Sequence, residues 1–185
     1  MLEELRLPVR LAYVGIEAWR VEMAAGDVVA AEAEMRRSYD ILVELGEKYL
    51  LSTVSGLLGQ TLYVLGRFDE VEPLGTMARE LATDDDVYTQ ALWRCVQGKH
   101  LARTGAFVEA ESLVREAIGL LEPTDVVLLK LFALLDLAEV RRVAGLDEHD
   151  QLAEARRLAE AKASPVYVDL VDELLGRGAP KPLAS

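Results

Sequence analysis

The residues able to carry chemistry are few and scattered along the chain. Two histidines, His100 and His149, stand 49 residues apart, the second inside the acidic run Asp147-Glu148-His149-Asp150. A zinc site needs at least three convergent nitrogen, sulfur or carboxylate ligands, and one imidazole among acids does not supply them. Asp147 and Glu148 suit the positive end of a helix starting there. Asp84, Asp85 and Asp86 are adjacent rather than spaced as calcium ligands must be, so they are expected to cap a helix entering near 86. Cys95, in ALWRCVQGK, sits mid-helix with no neighbouring base and reads as a small packed side chain, not a nucleophile. Ser52, Thr53 and Ser55 lack a GxSxG setting, and SGLLGQT, with Gly56 and Gly59, has neither the lysine nor the strand–loop–helix context of a phosphate cradle. No catalytic centre is recognisable, no metal or cofactor is expected, and the chain reads as non-enzymatic.

Charge narrows the partners. Twenty Lys and Arg against 32 Asp and Glu leave a net charge of −12, which disfavours direct binding to nucleic acid or anionic lipid. The pairs Arg36-Arg37, Arg141-Arg142 and Arg156-Arg157 are isolated among acids and form no continuous basic groove. A single cysteine excludes an intrachain disulfide, no apolar run approaches the roughly 18 residues of a membrane span, and MLEELRLPVRLAYVG lacks the basic start and cleavage site of a secretory signal. A cytoplasmic location is the expectation. With 51% hydrophobic residues over 185 positions, there is ample material for a packed core.

The elements that must position these residues announce themselves as a repeat. Gly26, Gly66, Gly105 and Gly145 recur at separations of 40, 39 and 40 residues between apolar helical stretches. Such spacing predicts stacked units, each burying its apolar face on the next. Helices are expected before the glycines, over about 8–25, 48–65, 86–104 and 125–144, and after them, over about 27–44, 69–82, 107–121 and 148–163, with a shorter ninth over about 166–175. After Gly105, the residues Phe107, Ala110, Val114, Ala117 and Ile118 share one face, while Glu109, Glu111, Arg115 and Glu116 lie mostly opposite. Gly98, seven residues before Gly105, permits close helix approach; Gly59 has the same offset from Gly66, and Ala138 from Gly145. Pro123-Thr124-Asp125 reads as a helix stop followed by an N-cap, and Ser164-Pro165 as a turn into the last helix. Residues 1–175 are expected to form one helical repeat domain, and 176–185, GRGAPKPLAS, a flexible tail.

This arrangement of small residue, turn glycine, aromatic and small apolar residue resembles the tetratricopeptide repeat. Gly59, Gly66, Phe68 and Val71 match it in one unit, and Gly98, Gly105, Phe107 and Ala110 in the next. The first unit keeps Gly26 and Ala31 but has Trp19 and Val28 at the small and aromatic positions. The fourth has Ala138 and Gly145, with Asp147 and Asp150 where apolar residues are usual. The period exceeds the common one of about 34 residues. The resemblance implies an all-α, right-handed tetratricopeptide-like superhelix of tandem helix hairpins with a short C-terminal capping helix. The longer unit and phrases such as YLLSTVSGLLGQTLYVLGRFDEVE look like the carboxy-terminal repeats of bacterial, especially actinobacterial, multidomain adenylate/guanylate cyclases and ATPase-type transcriptional regulators.

That resemblance implies a protein–protein interaction or regulatory scaffold module in a signalling or transcription-regulatory protein. Its partner would be a protein, a peptide or another domain of the same parent, with self-association through terminal faces left open. The alternative is small-ligand sensing within the superhelix, with Gly56, Gly59 and Gly98 leaving a pocket. In the family the first helix of each pair lines the concave surface. Carried over, this marks Tyr13, Ile16, Arg20, Thr53, Gly56, Gln60, Tyr63, Leu92, Cys95, Lys99, Arg103, Phe132, Leu135, Glu139 and Arg142. Tyr13, Arg20, Gln60, Tyr63, Lys99, Arg103, Glu139 and Arg142 form the candidate partner-binding face.

Overall fold

Turn chemistry repeats more faithfully than sequence does. Behind each of the four spaced glycines the same hydrogen bond closes the preceding helix, from the amide after the glycine to the carbonyl five residues back: Asp27 to Glu22 at 2.9 Å, Arg67 to Leu62 at 2.9 Å, Ala106 to Leu101 at 3.0 Å and Leu146 to Arg141 at 2.8 Å. The glycines have φ of +80°, +74°, +90° and +71°, and a Cβ at any of them would meet nothing within 4 Å. Left-handed backbone, and not crowding, requires glycine there.

The computed structural model describes residues 2–177. Among them are nine α-helices and no strand: α1 (Leu2–Ala25), α2 (Val28–Leu45), α3 (Lys48–Val64), α4 (Val71–Leu81), α5 (Val87–Arg103), α6 (Phe107–Leu121), α7 (Val127–Val143), α8 (His149–Ala161) and α9 (Pro165–Arg177). A 3₁₀ turn, Phe68–Glu70, leads into α4. Asp27, Glu47 and Asp86 accept amide hydrogens at the starts of α2, α3 and α5, so of the Asp84–Asp86 triplet it is Asp86 that caps. Three details differ from expectation. Helix α1 begins at Leu2, six residues before the expected start, and carries Pro8 within it. Asp125 does not cap α7: the position before the helix is Val126, without a side-chain cap, and Asp125 contributes its carbonyl to the Val127 amide. Helix α9 runs through Gly176 and Arg177, so it takes two residues from the expected tail, whose remainder, 178–185, lies outside the described residues.

Helices pair as α1/α2, α3/α4, α5/α6 and α7/α8; each second helix also packs on the following first helix, and α5 lies between α3 and α7. Glycines inside helices set the closeness of these crossings. A Cβ on Gly98 would drive into the Val114 side chain and come 3.1 Å from the Ala110 carbonyl oxygen of α6; one on Gly59 would meet Val96 at 3.0 Å. In the first pair Trp19 occupies that small position, and the close approach moves one turn earlier, to Gly15 against Ser38 of α2. Trp19 instead reaches α3, donating from Nε1 to Thr61 Oγ1 at 2.8 Å. The core continues along the stack, from Met35, Leu57 and Leu62 through Val114 and Leu137 to Leu131, Leu152 and Val171.

Candidate functional site

Gln60, Lys99 and Glu139 occupy one repeat position, 39 and 40 residues apart, on the adjacent helices α3, α5 and α7. Helix packing brings all three to the same side of the stack. Around Lys99 the chain builds a buried polar knot. Its ammonium lies 2.7 Å from Asp136 Oδ1, donates to Gln60 Oε1 and sits 4.6 Å above the Tyr63 ring. The second oxygen of Asp136 accepts from Gln60 Nε2 at 2.8 Å, which closes the ring of contacts from α3 over α5 to α7. Only 5% of the Lys99 side chain and 13% of Asp136 are exposed. Lys99, Gln60 and Asp136 thus partner one another, as burial of charge demands. Cys95, a turn before Lys99, is buried beside this pair; burial and the Asp136 carboxylate hold its thiol well above the ordinary range.

Toward the C-terminal ends of the same helices the surface opens. The Tyr63 hydroxyl donates to Glu139 Oε1 at 3.0 Å, and Glu139 also accepts from Arg142 at 2.6 to 2.9 Å. Burial first, then the Glu139 charge, raises the Tyr63 phenol above its usual pKa. Phe68 meets Tyr63 edge-on at 5.2 Å, and the Arg103 guanidinium lies 4.2 Å over the Phe68 ring. Arg103 and Arg142 fall in the last turns of α5 and α7, where helix carbonyls favour cations. Arg142 is 60% exposed while bound to Glu139; Arg103 is exposed and has no carboxylate partner among the described residues. The cluster can hold a ligand through ring faces and guanidinium donors.

Six of the eight candidate residues therefore converge: Gln60, Tyr63, Lys99, Arg103, Glu139 and Arg142. Lys99 differs from its expected role, because its ammonium is enclosed by Asp136 and Gln60 and is not presented to a partner. Tyr13 and Arg20 lie away from the cluster on α1, Tyr13 half exposed and Arg20 paired with Glu17 at 3.1 Å. Ile16, Gly56, Leu92 and Cys95 belong to the packed interior, and Thr53 bonds Thr89 at 2.7 Å. Phe132 stacks edge-on against Tyr167 at 5.3 Å, and it packs with Leu135 into the C-terminal core. Sequence reasoning missed Asp136, the anion that organises the knot. Its signal was a lone carboxylate inside the apolar run Ala133-Leu134-Leu135-Asp136-Leu137, which cannot be buried without a cation.

The space beside the helical glycines is filled. Leu92 lies against Gly56, Val96 against Gly59 and Val114 against Gly98, so these glycines admit neighbouring side chains rather than line a cavity. A cleft of about 330 Å³ lies elsewhere, between α6 and α8 over Leu134 and Leu137. Among the described residues no three His, Cys, Asp or Glu side chains gather to hold a metal, and no helix is long and apolar enough to cross a membrane. Neither protein-family models nor curated protein sequences match the chain.

Proposed function

We propose that the chain is a tetratricopeptide-like superhelix acting as a recognition module in a larger regulatory assembly, and that it binds an acidic protein segment on the rim formed by Tyr63, Phe68, Arg103 and Arg142. The observation that carries this reading is Arg103: a guanidinium 4.2 Å over an aromatic ring, next to a tyrosine, with no carboxylate of its own among the described residues of a chain of net charge −12. The surplus of acids elsewhere makes an unneutralised arginine on a structured aromatic platform a site of preference for a carboxylate, which an arginine fork meets with two hydrogen bonds. Arg142 adds a second guanidinium, already oriented by Glu139. Such a face selects and positions a partner and carries out no bond-making step.

The test is an arrayed set of acidic peptides, each beside its Asn/Gln counterpart, probed with the folded chain. Acidic members should bind and their amides should not. Arg103→Ala should weaken binding about tenfold, in line with loss of a charge-assisted contact, while Arg157→Ala on α8 leaves it unchanged. Indifference to Arg103→Ala, or equal binding of acids and amides, sinks the reading.

A further inference from the structure

Helix α1 has two apolar faces. Ala12, Ile16 and Trp19 form the first, buried in the core. The second runs along the opposite edge through Leu7, Leu11, Val14, Ala18 and Val21, whose alternating steps of four and three residues keep them in one stripe. It is bare: Leu7 is 65% exposed, Leu11 53%, Val14 64% and Val21 65%. Single exposed leucines are ordinary, but a heptad seam running the length of a helix is a contact surface without its partner.

The charges beside the stripe say what fits it. One flank carries Pro8, Gly15 and Glu22, the other Arg10 and Glu17. Arg10 has no carboxylate partner among the described residues, and the only cation that pairs with Glu17 among them is the exposed Arg20, beside the Tyr88 phenol of α5. We propose that the stripe joins two copies of this chain as an antiparallel pair of α1 helices about a twofold axis. In that arrangement, with Leu11 opposite Val14 of the partner subunit, Arg10 faces Glu17 of the partner subunit, and the symmetry makes the same pair twice. The competing arrangements are each penalised. A parallel pair sets Glu17 against Glu22 of the partner subunit, and an antiparallel pair slipped by one heptad sets Glu17 against Glu17 of the partner subunit. Four apolar layers bury far less than the roughly 800 Å² per partner of a standard interface, so the dimer is weak, with a dissociation constant on the order of 10 to 100 μM.

Sedimentation velocity of the 185-residue chain between about 1 and 500 μM reads this directly. A reversible monomer–dimer equilibrium is expected, and Val14→Glu abolishes it with an unchanged helical spectrum. Arg10→Glu and Glu17→Arg each weaken the dimer about tenfold, and the combined reversal restores it to within about threefold, because the pairs are remade with opposite sign. A chain that stays monomeric throughout overturns the proposal. So does a dimer indifferent to the single reversals, or one not rescued by the double. A monomer that instead binds an added amphipathic helix gives the stripe to a different partner and overturns it equally.

Discussion

Two of the polar networks that tie repeats together lie in opposite settings, one inside the stack and one on its surface. The outer one joins α2 to the entry of α4: Arg36 reaches Glu32 at 2.8 Å and Glu70 at 2.7 Å, and Arg67 reaches both carboxylates at 2.5 Å. The inner one has a single ion pair, Lys99 with Asp136, bridged by Gln60. A count of contacts favours the outer network. Physics favours the inner one as the more consequential, since the outer side chains are 15 to 43% exposed and water competes for every charge, whereas the inner pair has almost no solvent to fall back on. Environment, more than the number of bonds, decides what a network is worth when it is broken.

The largest effect is expected from separating the inner pair. Asp136→Ala leaves an uncompensated buried ammonium and should lower the unfolding free energy by about 3 to 5 kcal/mol in urea titration. The double variant Lys99→Met/Asp136→Leu removes both charges and should recover most of that loss. If Asp136→Ala costs no more than Arg36→Ala, the distinction between the two networks fails.

A smaller effect sharpens the role of packing around the inner helices. Gly98→Ala forces a methyl into Val114 and against the Ala110 carbonyl and should cost about 1 to 3 kcal/mol, whereas Gly119→Ala, a helical glycine facing open space on α6, should stabilise by about 0.5 to 1 kcal/mol. Thermal melts of the two variants moving in the same direction would show that crowding is not what fixes glycine at position 98.

The smallest effect belongs to the outer network and appears only in acid. Hydrogen bonds from Arg36, then from Arg67, hold the Glu70 carboxyl below the ordinary glutamate range. A depressed folded-state pKa means that the contribution is complete above the unfolded value near 4.5 and disappears as pH falls through the folded one. Glu70→Gln should therefore flatten the acid limb of a stability–pH profile slightly and leave the inner network's behaviour untouched. An unaltered profile would make the outer bonds energetically silent.

Much of the architecture was legible because it rests on backbone rules that individual residues announce. Gly26, Gly66, Gly105 and Gly145 each mark a left-handed helix end, and their spacing alone places all four hairpins. Gly46, which ends α2 with φ of +65°, has the same conformation but falls outside the period, so it gave no repeat signal. Gly98 announced a close approach but not the neighbour that makes it, because Val114 is sixteen positions away on another helix. The candidate face was legible only as a set of positions on first helices. Which of them stay free depends on partners from other repeats: nothing local to Lys99 indicates that Asp136 will enclose it, and nothing local to Arg103 indicates that no carboxylate will reach it.

The contacts from Gln60 to Asp136 and from Tyr63 to Glu139 skip a repeat, running from the second unit directly to the fourth across the third. Repeat arrays are ordinarily described by a transfer matrix in which each unit feels only its immediate neighbours, so a truncation series loses stability in equal steps. Here that description lacks a next-nearest-neighbour coupling. Removing the last hairpin strips ligation from two upstream units at once, so shortening this chain should produce a sudden loss of cooperativity, and the smallest piece that melts as one body should contain three consecutive units.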